Sequence, residues 1–252
     1  MDFSGKNVLV TGASRGIGTA CAIQFAKAGA TVAVHYNNSA DKAQAVADSL
    51  DGEGHIVVQA DMGDPDAVKM MVDTVVEQLG SIDVLVNNAG IYEYHKVAEV
   101  DYETWQASWQ RTIEVNLYGA ANALYCAAQH MIKQGSGRIV NVTSRGGFRG
   151  EPDAPAYGAS KAGLNSVTGS MARSLAQHGV YVTAVAPGWI ATDMANDYLD
   201  TPEGDDIRAQ SPLNRVGTPD EIAHAVLYLA SPGSEFTTGR ILDVNGASYL
   251  RN

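Results

Sequence analysis

Short apolar runs rich in β-branched residues alternate along the chain with longer stretches that read as helices. The first run, residues 7–11, meets a glycine-rich turn, and the Ala-rich stretch after it, residues 20–28, ends at Gly29. The unit recurs as strand 31–36 with helix 40–50, then strand 55–60 with helix 64–79, then strand 83–87. A long helical stretch, 102–133, leads to strand 138–143, helix 156–177 and strand 180–186. After Pro187-Gly188 the pattern turns polar over residues 193–213, where Pro202, Gly204 and Pro212 fit a surface lid better than a strand. Helix 219–230 and strand 239–244 complete the series.

Strands that are nearly continuous in apolar residues are expected where helices cover both faces of a sheet. The predicted fold is therefore α/β: a doubly wound Rossmann arrangement with a mostly parallel seven-stranded sheet. No linker, low-complexity tract or charge block interrupts it, so residues 1–252 read as one dinucleotide-binding domain with a substrate lid at about 193–213.

Composition narrows the partners. With 17 Lys and Arg against 28 Asp and Glu, the 252-residue chain carries a formal charge of −11. It lacks the excess of cations that nucleic acid or an anionic membrane surface demands. Cys21 and Cys126 lie too far apart for a zinc motif, are too few for a disulfide framework, and read as buried small residues in a reduced, cytoplasmic protein. No run approaches the roughly 18 apolar residues of a membrane span, and the first six residues lack the apolar core of a secretory signal. The six histidines are scattered, so no metal is expected.

The turn Thr11-Gly12-Ala13-Ser14-Arg15-Gly16-Ile17-Gly18 joins the first strand to the first helix. Free amides and the helix dipole at such a junction attract a pyrophosphate, and glycines let the phosphates approach. Three glycines also suit any tight connection, but their place after the first strand of a βαβ unit is the one dinucleotide binding requires. An NAD site would carry a carboxylate at the end of the second strand. Here the chain reads His35-Tyr36-Asn37-Asn38-Ser39, with no acid to repel a 2′-phosphate and with Arg15 able to pair with one. NADP(H) is preferred over NAD(H) on this reading; an ordinary solvated Arg15 is the alternative.

Tyr157 and Lys161 stand four residues apart at the start of a helix and share a face. A nearby ammonium favours the phenolate and brings a tyrosine toward proton exchange at neutral pH. Alone, such a pair is usually a packing and solubility feature. The wider pattern changes that: Thr11-Gly12-x-x-x-Gly16-x-Gly18, Asn87-Asn88-Ala89-Gly90, Asn116, Ser144, Tyr157-x-x-x-Lys161 and Pro187-Gly188 follow in order over essentially the whole chain. The sequence thus resembles the short-chain dehydrogenase/reductase family, and most of all its branch of 3-oxoacyl-(acyl-carrier-protein) reductases.

That resemblance implies a hydride-transferring oxidoreductase. Tyr157 would be the general acid or base, and Lys161 would lower its pKa and bond the nicotinamide ribose. Ser144 would hold the substrate oxygen, with Thr143 its competitor on the opposite strand face, and Asn116 would hold a water in a proton relay. It further implies Gly12, Ser14, Arg15, Gly16, Ile17, Gly18 and Asn37 around the phosphates and adenosine ribose, Asp61 with Met62 at the adenine, and Asn88, Ala89 and Gly90 beside the ribose. Pro187, Gly188, Ile190 and Thr192 would surround the nicotinamide. Asn87 reads as a tie between strands, and Asp61 has a second reading as a turn residue.

The substrate stays open. Gln134-Gly135 and Gln177-His178-Gly179, at the ends of the long helices, do not form the basic patch that would dock an acidic carrier, and a body of charge −11 would slow one. A free small carbonyl compound therefore weighs at least as much as an acyl thioester. Arg145 and Arg149 could meet an anionic group or belong to a solvated loop or subunit contact. Tyr92, Tyr94, His95, Trp189, Met194 and Tyr198 are candidates for the pocket wall or for the core. A non-catalytic dinucleotide sensor is the alternative from another class, and it predicts damage at a catalytic position. The family pattern also implies a homotetramer.

Overall fold

In the computed structural model, residues 1–192, 199, 201 and 204–251 are described. Seven strands form one sheet: β1 (Asn7–Val10), β2 (Thr31–Tyr36), β3 (Ile56–Gln59), β4 (Val84–Asn87), β5 (Gly137–Val142), β6 (Val180–Pro187) and β7 (Ile241–Val244). Their order is β3-β2-β1-β4-β5-β6-β7, and every pairing is parallel rather than mostly so. The order reverses between β1 and β4, and a doubly wound sheet opens a crevice at the carboxyl end of such a pair.

Alternate strand residues feed two cores, as the two-residue period of a strand demands. Val8, Val10, Val32, Val34, Val84 and Val86 face a layer formed by α1 (Gly16–Lys27), α2 (Ala40–Asp48) and α9 (Pro219–Ala230). Leu9, Ala33, Leu85 and Ile139 face the other layer, formed by α3 (Pro65–Leu79), α5 (Ala120–Gln134) and α7 (Pro155–Leu175). In the first layer Phe3 and Phe25 meet edge to face at 4.9 Å between ring centres. Cys21 is fully buried there, and burial pushes its thiol up to about 12; Cys126 is partly buried on α5.

Helix ends follow local chemistry. Asp64 caps α3 by accepting from the amides of Asp66 and Ala67, and Pro65 occupies the first helical position. Thr218 and Glu221 form a reciprocal capping box on α9.

The stretch expected as one helix over 102–133 is in fact three pieces: α4 (Tyr102–Ile113), a π-helical turn (Glu114–Gly119) and α5. The π turn, a rare form often found at functional sites, carries Asn116. Two short helices lay outside the sequence reading: α6 (Gly146–Arg149), a single turn after β5, and α8 (Gly204–Ala209) within the expected lid. Residues 193–198, 200 and 202–203 of that lid, with the candidates Met194 and Tyr198, lie outside the described residues. Among the described residues no helix is long and apolar enough to cross a membrane, and no cluster of metal-ligating side chains occurs.

Candidate active site

The crevice at the carboxyl edge of β1 and β4 is a cavity of about 420 Å³. One wall begins at the turn after β1. Gly12, Gly16 and Gly18 serve different purposes there. Gly12 and Gly16 have positive φ, +64° and +59°. A Cβ on Gly12 would lie 2.9 Å from the Ala89 Cα, so this turn and the chain after β4 pack backbone to backbone. Gly18 is buried and does not line the cavity; a Cβ there would strike the Gly12 carbonyl.

Side chains fasten this contact. Thr11 Oγ1 accepts from the amides of Asn88 and Ala89 at 2.9 and 3.0 Å, and Asn88 Nδ2 donates back to the carbonyls of Thr11 and Gly12 at 2.9 and 3.1 Å. Asn87 ties β4 to β5 through a 3.0 Å bond to Asn141 Oδ1, as the sequence reading expected.

His35 completes the arrangement, and sequence reasoning gave it no role. Its Nδ1 accepts from the Gly12 amide at 2.9 Å and its Nε2 faces the Ala60 carbonyl at 3.0 Å. These partners require a neutral ring that carries its proton on Nε2. One imidazole thus joins the ends of β1 and β3 across β2. The only hint in the sequence is a histidine inside an otherwise apolar strand.

Helix α1 opens with no side-chain cap and no acid in its first turn, so its amides are left to an outside acceptor. Arg15, at its N-cap, is exposed and lines the cavity with Ser14, Gly16 and Ile17. The facing end of β2 contributes Tyr36, Asn37, Asn38 and Ser39, without a carboxylate. Asp61 and Met62 line the same end. Asp61 is also engaged by Arg111, whose Nη2 donates to both carboxylate oxygens at 3.1 Å, and by the Gly63 amide at 2.8 Å. Burial works against ionisation, yet the Gly63 and Arg111 bonds together hold this carboxyl below its usual range. The bond to the Gly63 amide fits the reading of Asp61 as a turn residue, and the side chain also lines the cavity. Arg111 lies 50 positions from its partner and left no local signal.

The opposite end holds Ser144, Tyr157 and Lys161, with Asn88, Ala89, Gly90, Pro187, Gly188, Ile190 and Thr192 also on the wall. The Ser144 hydroxyl hydrogen-bonds the Tyr157 side chain and accepts from the Gly146 amide at 3.0 Å. Thr143 also lines the cavity, but its hydroxyl is engaged, donating to the Val185 carbonyl at 2.9 Å. Lys161 is buried; its Nζ donates to the Val142 carbonyl at 2.9 Å and stands 5.6 Å from the Tyr157 ring centre. Asn116 does not line the cavity. It is buried behind it, accepting from the Ile91 amide at 2.8 Å and donating to the Ile91 carbonyl at 2.9 Å and to Ser160 Oγ at 3.3 Å.

Electrostatics here differ from the sequence expectation. Burial pushes Tyr157 up to about 12, with the Ser144 bond opposing, and it pushes Lys161 down to about 8. Desolvation, not the ammonium, dominates the tyrosine in this arrangement. Tyr157 therefore keeps its proton at neutral pH.

The expected pocket wall divides. Tyr92 and Trp189 line the cavity, with Tyr92 5.0 Å from the Tyr157 ring. Tyr94 is 44% exposed and His95 is fully buried, so neither lines it. His95 instead accepts the Ala156 amide on its Nε2 at 3.2 Å, at the start of the Tyr157 helix. Arg145 is buried rather than solvated, while Arg149 is exposed and pairs with Glu151 at 3.7 Å.

Comparison with known proteins finds relatives over nearly the whole chain. The family model described as "Enoyl-(Acyl carrier protein) reductase" matches residues 12–247. The 3-oxoacyl-[acyl-carrier-protein] reductase FabG of Staphylococcus epidermidis is 42% identical over 247 residues, covering 97% of this chain and 99% of that protein. An L-rhamnose 1-dehydrogenase (NAD(P)(+)) of a Sphingomonas species is 38% identical, covering 98% of each chain. Among solved structures, a short chain dehydrogenase from Burkholderia cenocepacia in complex with NADP superposes with a TM-score of 0.87 at 36% identity, covering 98% of this chain and 99% of that one.

Burial pushes His35 down to about 4, so the folded chain holds it neutral. The unfolded chain takes up a proton near pH 6.5. The stabilisation is therefore complete above about pH 6.5, declines as pH falls toward 4, and the total loss is roughly 3 kcal/mol. Denaturant unfolding of wild type and His35→Gln from pH 7 to 4 should show their stability difference shrinking by about that amount; a difference independent of pH would refute the assignment.

Proposed function

Because this chain belongs to the short-chain dehydrogenase/reductase family and is an oxidoreductase, we propose that it exchanges hydride between NADP(H) and a small carbonyl compound or secondary alcohol, with Tyr157 as general acid and base. The observation that carries this reading is one cavity lined by the uncapped glycine-rich turn at one end and by Ser144, Tyr157 and Lys161 at the other. The residues fit a dinucleotide: α1 offers free amides at the cavity, Arg15, Asn37 and Asn38 line it where β2 ends without an acid, and the one carboxylate at that end, Asp61, is already paired with Arg111. Gly18 acts through packing of the turn. When bound, the nicotinamide supplies or accepts the hydride.

The chain's own residues do the rest. Ser144 and Tyr157 share a hydrogen bond, so both hydroxyls can converge on one substrate oxygen. Because Tyr157 holds its proton at pH 7, it suits donation to an oxygen that gains negative charge during reduction. Lys161 has a pKa close enough to neutral to replace that proton, and buried Asn116, set by the π turn beside Gly90 and Ser160, holds the local backbone for a relay. Residues 1–252 act as one dinucleotide-binding unit, with 193–213 as the substrate lid.

The second reading is a 3-oxoacyl-(acyl-carrier-protein) reductase, favoured by the name of the 42%-identical relative. The overall charge of −11 argues against an acidic carrier and for a free substrate. We further infer a cytoplasmic homotetramer without nucleic-acid or membrane partners. Tyr118 and Tyr125 are each 60% exposed on the π turn and α5, and Phe236 and Leu250 stand open beside the edge strand β7.

NADPH oxidation across ketones, sugars and 3-oxoacyl thioesters should reveal a reducible free carbonyl compound, and Tyr157→Phe should lower kcat about 10²- to 10⁴-fold. Equal activity of the two proteins would refute the mechanism, and a carrier-bound thioester outperforming every free ketone would establish the second reading. Arg15→Ala should weaken NADPH binding by roughly tenfold or more while changing NADH little; equal losses would remove the 2′-phosphate assignment. Light scattering should give about four times the 26.5 kDa chain mass, and a monomeric mass would overturn the tetramer.

A further inference from the structure

The cofactor cavity is separated from a second cavity of about 500 Å³ by Arg145, Trp189 and Ile190, the described residues that line both. Arg145 is 3% exposed. Its Nη2 donates to the side-chain oxygen of Gln210, a neutral acceptor on an exposed residue, whereas its Nη1 is buried with no hydrogen-bond partner. Among the described residues it pairs with no carboxylate; Glu151, which also lines the cofactor cavity, pairs with Arg149 instead. Burial, aided by Arg149, pushes the Arg145 guanidinium down to about 10 against the pull of Glu151. A buried cation is costly unless an anion meets it, and among the described residues no carboxylate is bonded to this side chain.

The backbone brings that cation next to the reacting centre. At Arg145 the chain leaves the extended form of β5 for a helical turn, φ −56° and ψ −27°. Arg145 thus lines the cavity directly after Ser144. A ligand that touches Ser144 with one oxygen and Arg145 with another must be short.

We propose that Arg145 is a substrate-anion subsite: its unpaired Nη1–H and its charge receive the carboxylate of a short oxo acid whose carbonyl lies at Ser144 and Tyr157. This deepens the oxidoreductase reading above and rests on it. Reduction adds a hydride to the carbonyl carbon and the Tyr157 proton to its oxygen; the carboxylate is unchanged and serves to orient the molecule. A long apolar acyl chain would leave the guanidinium without an anion.

Two measurements test the subsite. The first compares kcat/KM for 2-, 3- and 4-oxo acids of four or five carbons with their methyl esters, in wild type, Arg145→Met and Arg145→Lys. Wild type should favour at least one acid over its ester by about tenfold or more, through KM; Arg145→Met should bring the ratio near one, and Arg145→Lys should restore part of it. The second measures malonate and succinate binding calorimetrically to the NADP⁺-loaded protein, with about tenfold weaker binding expected for Arg145→Met. Arg145→Gln, which keeps a donor without the charge, serves where Arg145→Met fails to fold. Ester preference in wild type, or an equal loss for acid and ester, would mean that Arg145 only ties down Gln210. Turnover of neutral ketones with unchanged dicarboxylate binding in Arg145→Met would sink the subsite alone. Lost dicarboxylate binding without reduction of any carbonyl would sink the oxidoreductase reading and leave the subsite standing.

Discussion

The contact between the turn after β1 and the chain after β4 is the constraint on which the rest of the site depends. Two parallel strands end side by side there, and the backbones must nearly touch for the crevice to have a floor. Gly12 permits the approach because any Cβ would press on Ala89. Thr11 and Asn88 then hold it with reciprocal bonds, and His35 brings β3 into the same arrangement. Only when that edge is fixed do the uncapped amides of α1 and the Ser144 corner face one space.

Burial is the second governing effect, and it acts in opposite directions on groups that look alike in a sequence. It favours the neutral form of His35, the protonated form of Tyr157 and the unprotonated form of Lys161. The first is structural: a charged imidazole would lose its acceptor for the Gly12 amide. The other two bring a proton holder and a proton source into contact with the same cleft. The Val142 carbonyl keeps the lysine in place, so its position comes from β5 rather than from the tyrosine.

Element order and the motif residues were legible because each depends on local pattern. Apolar runs marked the seven strands, and Gly12 and Gly16 of the turn line one cavity with Ser144, Tyr157 and Lys161, whereas Gly18 and Asn116 lie behind its wall. What was not legible depends on long-range contact. The π turn at Asn116 interrupts a stretch that reads as one helix, 102–133. Arg111 finds Asp61 fifty residues away, and His95 finds the first turn of α7 sixty-one residues away. Arg145 read either as a partner for an anionic group or as part of a solvated loop or subunit contact, since nothing in its neighbours shows that it is buried and bonded to Gln210. The rise in the Tyr157 pKa was missed for the same reason: spacing shows a nearby ammonium but not how much water is excluded.

The charge of the whole chain and that of the described residues lining its cavity have opposite signs, and this bears on what the site can attract. The described residues lining the cofactor cavity include four cations, Arg15, Arg111, Arg145 and Lys161, and two carboxyls, Asp61 and Glu151. Arg111 is spent on Asp61, and burial holds Lys161 near the point of losing its proton. Arg15 and Arg145 remain, one at each end of the cavity, on a body of charge −11. A negative surface repels anions at long range, but inside a low-dielectric cleft the nearest charges dominate. On the reading proposed above, Arg15 meets the 2′-phosphate of the dinucleotide and Arg145 a small anionic substrate, while the negative surface outside weighs against a large acidic protein.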